Sequence, residues 1–576
     1  MPAALTRSPE WSTRYLLFIA GMGGLLYGID VGIIAGALPY LESTAALAWK
    51  LNAQQLSFVV AAVLLGSVLS SLFAGLLADV VGRRPAMVVS GALFVASIPL
   101  IALADGYIPL LCGRLLQGVS GGLIGVIVPL YLAECLHADR RGRGAALFQL
   151  LLTVGLVAAA LIGLVQARSV QVATDAAAAL PEAARAAAVL AAKDHAWRRI
   201  FWMCLTPGIV FTLGCLLLAE SPRWLAQRGL REATPTRARA NTTRAADPLL
   251  SRRYVLPFLL ACLILACNQA TGINSVLAYV VNILNRAGLS GSSANMADVL
   301  LKVLNALMTI VAVLLVDRKG RRFLLMLGTG GIVVALLAVG LLFRANEVEQ
   351  RDVLAQVSAQ ARDDGLSLRL DAPTLRALGA DPAGPPQVLT VAYAYGPFTN
   401  VASIRSDDPA LPRLDARRAD TVQPDSVIGA AFRRLHLNPF PDPAAAAAAP
   451  LAIETARLGP LPTAGHGWLV AAAICLFVAS FAVGPGVCVW LALSELMPTR
   501  IRSNGMSIAL LINQFVSTSI AAVFLPTVGR HGYSTIFFFG AACTVVYFLA
   551  SAFLLPETRG KTLEEIDAFF ARPAAK

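Results

Sequence analysis

Twelve stretches of this chain run for about twenty residues or more almost without charge, and that pattern limits the fold more than any other feature. In hydrocarbon every backbone N–H and C=O must be satisfied within the protein, which leaves only helices and closed barrels. A helix rising ~1.5 Å per residue crosses a core ~30 Å thick in about twenty apolar residues, whereas a barrel strand needs about ten that alternate. The stretches therefore predict an all-α membrane protein with twelve transmembrane helices. They fall at about 15–41, 56–78, 86–104, 107–135, 144–167, 199–219, 254–284, 297–316, 323–343, 467–495, 505–528 and 534–555. Only 14% of the residues are charged, against about 25% in soluble domains, so a soluble enzyme is excluded. Arg7 and Arg14 lead into a first span of full membrane length without a small-residue cleavage site, so that span is expected to serve as the insertion signal.

The net charge of +13 does not indicate a nucleic-acid surface, because the arginines cluster in alternate short loops. Arg83-Arg84, Arg140-Arg141-Arg143, the run Arg223 to Arg253, Arg318-Lys319-Arg321-Arg322 and Arg500-Arg502 follow spans two, four, six, eight and ten. The positive-inside rule makes these loops cytoplasmic, and with them both termini. None of the nine cysteines has metal-ligand spacing, and no cofactor or metal is expected. Abundant Ala and an excess of Arg over Lys suggest a GC-rich bacterial genome, hence a multi-pass protein of the bacterial inner membrane.

Two exterior segments are long. Residues 168–198 are Ala-rich, with a Pro181-Glu182 helix start, and read as a short amphipathic helix lying outside. Residues 344–466 hold one strand-like run, Val388 to Tyr395, and a capped helix start at Asp371-Ala372-Pro373. They also hold a low-complexity linker from Pro439 to Pro450, so this insertion is expected to be partly folded.

One acidic residue, Asp30, stands alone in the otherwise uncharged run from Tyr15 to Pro39, near the bilayer midplane. A charge there costs roughly 2.5–3.5 kcal/mol on insertion scales, which makes it a functional-site candidate by default.

The chain also repeats itself. Asp79-Val80-Val81-Gly82-Arg83-Arg84 after span two matches Asp317-Arg318-Lys319-Gly320-Arg321-Arg322 after span eight, at an offset of 238. Glu134 and Arg141, closing span four, match Glu495 and Arg502, closing span ten, at an offset of 361. The difference, 123, sizes the insertion independently of hydropathy. Gly28-Ile29-Asp30 matches Gly272-Ile273-Asn274, so the acid of one half faces a neutral amide in the other.

These motifs resemble those of the sugar porters of the major facilitator superfamily, over nearly all of the chain except the insertion. The matching pieces are 75–84, Arg114, P-L-Y-L-A-E (129–134), R-R-G-R (140–143), E-S-P-R-W-L (220–225), Q-A-T-G-I-N (269–274), D-R-K-G-R-R (317–322), G-P-G-V-C-V-W (484–490) and P-E-T-R-G-K (556–561). The resemblance implies the major facilitator fold, two pseudo-symmetric six-helix halves with the substrate near the midplane between them. The expected organisation is 1–220 for the N-terminal half, 221–253 for a short basic cytoplasmic linker and 254–343 for spans seven to nine. The periplasmic insertion then occupies 344–466, between spans nine and ten, and 467–576 carries spans ten to twelve with a short cytoplasmic tail.

Side-chain amides suit a sugar's hydroxyls because each offers two donors and an acceptor, and an aromatic ring suits a sugar face. By resemblance such groups are Gln149, Asn268, Gln269, Asn274, Asn305, Trp490 and Asn513. The sequence departs from the family where Asn268 replaces a Gln, Ala278 a Tyr, and Gln514 an aromatic. A single intramembrane amide can equally be interhelical glue. Asp30 and Arg114 match the proton-coupling pair of the family's symporters, the alternative being a permanent ion pair between two helices. Asp79, Arg83, Glu134, Arg141, Asp317, Arg321, Glu495 and Arg502 match its cytoplasmic gate network.

The resemblance thus implies a monomeric secondary active transporter, not an enzyme. Its partners are a small-molecule sugar, a proton and the lipid bilayer, with no nucleic acid. It would import a monosaccharide, a hexose first and a pentose second, by proton symport through alternating access. A passive facilitator is the alternative. A non-transporting sugar sensor is the alternative from another class, against which the short tail and the short 221–253 loop both count.

Overall fold

A computed structural model describes residues 9–136, 138–227, 251–289, 291–361, 365–407, 413–422, 446, 448–497, 501–557 and 570. Among them are twelve helices long and apolar enough to cross a membrane. In order they are Thr13–Ser43, Ala53–Val81, Arg83–Ala102, Tyr107–Leu132, Leu147–Ala179, Glu182–Leu216, Tyr254–Arg286, Ser292–Val316, Arg321–Val348, Ala464–Val489, Ile508–His531 and Tyr533–Leu554. The fold is all-α across the membrane, with a β-sheet unit between spans nine and ten.

The packing repeats as the sequence does. Span 1 packs on span 5, 2 on 4, 3 on 4 and 3 on 6, and the same pairs recur as 7 on 11, 8 on 10, 9 on 10 and 9 on 12. The halves meet through spans 2 and 11, 5 and 8, and 1 and 7, the pattern of a two-fold axis along the bundle. Span 1 reaches span 5 backbone to backbone: a Cβ at Gly28 would stand 1.9 Å from the Leu152 carbonyl oxygen. Small residues make such approaches possible in a medium where helices gain little from hydrophobicity alone.

In the segment 168–198 a helix does start at Glu182 after Pro181, as expected, but it is not a short one set apart from the spans. The helix of span 5 continues unbroken to Ala176, and the helix Glu182–Trp202 leads directly into span 6. That second helix is held by its own apolar face. Trp197 is buried edge-on to Trp49, and Arg198 donates to the carbonyls of Ala102 and Ala104 that end span 3, both at 2.9 Å. Unsatisfied terminal carbonyls and a nearby cation account for the docking.

Among the described residues, the unit between spans nine and ten contains six strands, where the sequence suggests one. They are β1 (Arg351–Asp352), β2 (Leu366–Leu368), β3 (Gln387–Tyr395), β4 (Phe398–Arg405), β5 (Leu414–Ala416) and β6 (Leu451–Pro460). One antiparallel sheet runs β1-β6-β3-β4, and β2 pairs with β5. Leu389, Val391, Tyr393 and Tyr395, alternate residues of β3, share a buried cluster with Ile404, Ala456 and Leu458. The short helix Ala372–Ala377 starts where expected, its first turn capped by Asp371, which accepts from the Thr374 amide at 2.9 Å. The Thr374 hydroxyl and amide hold the Asp371 carboxyl below the usual carboxylate range. Most of the linker 439–450, like residues 228–250 of the basic loop, lies outside the described residues.

The β-unit sits on the bundle at the ends of spans 2 and 11. Asn400 accepts from the Ala53 amide that opens span 2 (3.1 Å), Val401 packs over Gly529, and Glu454 pairs with Arg530 at 3.1 Å. At this β-unit face the halves are also joined directly. Gln54 donates to the Ala522 carbonyl at 2.8 Å, and the Leu525 amide donates to the Ser57 hydroxyl at 3.2 Å.

The close approach of spans 1 and 5 makes a measurable demand. Gly28→Val should lower the recovery of folded protein and its thermal midpoint in detergent; an unchanged midpoint would mean that this contact does not hold the N-terminal half together.

Candidate functional site

Span 7 is broken in its middle. One helix ends at Ala270 and the next begins at Ile273, with Gly272 between them at φ +81°, a left-handed conformation that glycine adopts at little cost. The Thr271 and Gly272 amides still donate to the Cys267 and Gln269 carbonyls (3.1 and 2.9 Å), and the Val276 amide donates to the Gly272 carbonyl at 2.8 Å.

Amides gather at this break. Asn274 donates to Gln269 Oε1 and to the Ser517 hydroxyl, both at 2.9 Å. Gln269 Nε2 donates to Asn513 Oδ1 at 3.3 Å, and Asn513 Nδ2 to the Leu265 carbonyl at 3.0 Å. Asn268 is buried beside them with Oδ1 unpartnered among the described residues. The fold thus joins Gln269, Asn274 and Asn513 from two spans, and adds Ser517. The sequence reading missed Ser517, although it stands four residues after Asn513 on the same helical face. Gln149 on span 5 and Asn305 on span 8 are half-buried and, among the described residues, make no side-chain hydrogen bond to this group. Trp490 lies on the helix Pro485–Leu496, with its side chain outside the described set.

Asp30 is 1% exposed and directed at span 4, where a Cβ at Gly121 would come within 2.6 Å of its Oδ2. Both carboxyl oxygens lack a hydrogen-bond partner among the described residues. Arg114, the nearby positive charge, does not pair with it directly. Its Nη1 donates to Gln117 Oε1 at 2.6 Å and its Nε to the Val59 carbonyl at 3.4 Å, and the guanidinium lies 5.7 Å from the Phe201 ring centroid. Asp30 and Arg114 thus make no direct contact among the described residues, although they remain electrostatic neighbours.

The other end of the bundle carries the motif charges. Arg83 bonds Glu134 through Nε and Nη2, each at 2.9 Å, and Asp79 through Nη1 at 2.9 Å. Glu220 accepts from the Arg83 and Arg84 amides at the start of span 3 (3.0 and 3.2 Å), and Ser221 donates to Glu134. In the second half Glu557 does the same for the Arg321 and Arg322 amides at 3.1 and 3.2 Å. Glu220 and Glu557 thus cap equivalent helices as anions at N-termini. Both stand in motif pieces of the sequence, yet only the structure reveals what they bind. The backbones of Arg141, Asp317, Glu495 and Arg502 are on helices at this end, their side chains outside the described set.

A family model described as "Sugar (and other) transporter" matches residues 16–359 and 444–570, leaving the middle of the β-unit unmatched. The chain is 28% identical over 355 aligned positions to the glucose transporter GlcP of Staphylococcus epidermidis, covering 58% of this chain and 72% of that one. It is 24% identical over 597 aligned positions to human solute carrier family 2, facilitated glucose transporter member 12, covering 98% and 88%. A solved D-xylose-proton symporter superposes with a TM-score of 0.62 over 96% of this chain and 100% of that one, at 19% identity.

Arg83 and Glu134 form a nearly dry pair, each side chain 5% exposed, while Asp79 on the same guanidinium is 64% exposed. Removing one partner of a buried pair costs about 3–5 kcal/mol, against about 0–1 for an exposed pair such as Arg405–Asp407. Arg83→Met should therefore lower the thermal midpoint clearly and Arg405→Met hardly at all; equal effects would refute the buried cage.

Proposed function

The chain belongs to the sugar (and other) transporter family, and from that premise we propose that it imports a monosaccharide, a hexose first and a pentose second, by proton symport. The protein works by alternating access in the bacterial inner membrane, with the β-unit periplasmic and both termini cytoplasmic. The observation that carries symport is Asp30: a buried acid in span 1 with both oxygens unpartnered, beside an Arg114 that bonds Gln117 instead. A carboxylate in hydrocarbon needs a partner, whereas a protonated acid does not. This supports reading Asp30 as the proton carrier, loaded when Arg114 is released to Gln117. Asp30 takes its proton from the periplasmic side, and release of the proton to the cytoplasm restores its attraction to Arg114.

Sugar hydroxyls are read by the amides at the span 7 break. Gln269, Asn274 and Asn513 satisfy one another when empty, so a sugar exchanges hydrogen bonds with them and leaves no buried donor bare. Asn268, whose oxygen is free, Gln149 from the other half, Asn305 and Trp490 complete the site. The charges at the cytoplasmic ends are the gate: Asp79, Arg83, Glu134 and Arg141, with Asp317, Arg321, Glu495 and Arg502. In this reading it is contacts between the two sets that clamp the state open to the periplasm, whereas the Arg83–Glu134 and Arg83–Asp79 pairs lie within the first half. The facilitated transporter among the relatives supports a second reading, passive uniport on the same site.

Uptake of labelled hexoses and pentoses into liposomes, with and without an inward proton gradient, separates the readings. Gradient-driven accumulation is expected, with Asp30→Asn abolishing accumulation and sparing sugar exchange. Gradient-independent uptake that ignores Asp30→Asn would replace symport with facilitation. Gln149→Ala and Trp490→Ala should each abolish uptake while folded protein is retained, and normal uptake by either would remove that residue from the site.

A further inference from the structure

Span 8 carries a second pair of ionisable groups that neither the repeat nor the motifs single out. Asn295, Asp298 and Lys302 lie on one helical face. Asp298 is 1% and Lys302 0% exposed, and Lys302 Nζ stands 2.9 Å from Asp298 Oδ2. Ionisable groups inside a membrane are rare and need partners, so a pair costs less than either charge alone.

This face looks across to the other half. Lys302 Nζ also donates to the Gly32 carbonyl of span 1 at 3.3 Å. Asn295 Oδ1 is wedged at the crossing of spans 1 and 5, where a Cβ at Gly163 would come within 3.1 Å of it and one at Gly36 within 3.7 Å. Asn295 Oδ1 and Asp298 Oδ1 have no hydrogen-bond partner among the described residues, so this face is not saturated by its own helix. Gln54 to Ala522 and Leu525 to Ser57 also link the bundle's halves, through spans 2 and 11, and Glu42 near the end of span 1 meets Asn282 and Arg286 of span 7. The Lys302 contact grips span 1 two residues after Asp30.

We propose that Lys302 and Asp298 form a charge-neutral latch between the halves, with Lys302 a positioning residue for the transport cycle. Lys302 holds span 1 at Gly32 while the periplasmic face is closed and lets go when that face opens. Asp298 sits one turn away on the same helix and travels with it, so release breaks one hydrogen bond and exposes no unpaired charge. The latch ties the position of span 8 to the helix that bears the proton site. This inference rests on the alternating-access reading above.

The test reads closure directly. Ser57 is fully buried at the span 2–span 11 seam. In full-length protein in nanodiscs, a Ser57→Cys reporter is treated with a polar thiol reagent, with protein lacking the reporter as the blank. Losing a hydrogen bond to a charged group should raise the modification rate about ten-fold in Asp298→Asn/Lys302→Met. Lys302→Gln, which keeps a neutral donor, should give an intermediate rise, and Lys302→Arg should restore the parent rate. Equal rates in all variants would overturn the latch. Failure of both the double variant and Lys302→Gln to fold would also overturn it, by making the pair a folding requirement. The readout needs no transported sugar, so a failed uptake assay would bear on the transport reading alone.

Discussion

The contact on which the rest of the structure depends is the one between spans 1 and 5. Gly28 and Gly155 let the two backbones touch, and Gly24 does the same against Phe148. In lipid, helix association relies on close packing, so this contact sets the rotation of span 1 about its own axis. Once that rotation is fixed, Asp30 must face span 4 and the Arg114 neighbourhood, while Gly32 and Gly36 meet spans 5 and 8. One helix thus presents its acid on one side and a smooth seam on another.

The second half solves a related problem differently. Its counterpart of Asp30 is Asn274, and span 7 is broken at Gly272, where span 1 is continuous. The break brings Gln269 and Asn274 of span 7 into one hydrogen-bonded network with Asn513 and Ser517 of span 11. A neutral network can trade partners with a hydroxylated ligand without leaving a charge in hydrocarbon, and a carboxyl can trade a proton. The asymmetry between the halves is a division of chemistry laid over a common packing scheme.

Much of this was legible in the chain itself. Span number and order follow from uncharged runs, because a bilayer leaves the backbone no choice but helices. The two-half arrangement follows from paired motifs at two offsets. The β-unit was much less legible. Its strands β4 and β6 lack long apolar runs, and they become strands by pairing with β3, a register that only the folded sheet specifies. The extents of the helices at 138–176 and 182–202, though not the start at Glu182, were hidden for a similar reason. An Ala-rich stretch gives little hydropathy contrast, so where a span stops and a projecting helix continues is settled by docking through Trp197 and Arg198.

The candidate site divides along the same line. The residue types and spacings at Asp30, Gln269-Asn274 and Asp79-Arg84 are local, and the sequence by itself determined that a costly acid, a cluster of amides and a cage of charges exist. Which atoms meet is not local. Arg114 bonding Gln117 and not Asp30, Glu220 and Glu557 capping equivalent helices, and Lys302 reaching Gly32 across the halves all join residues from different helices or select among neighbours. Only the tertiary structure decided them, because a helix's rotation and depth are fixed by what it packs against, and no periodicity within one span encodes its partner.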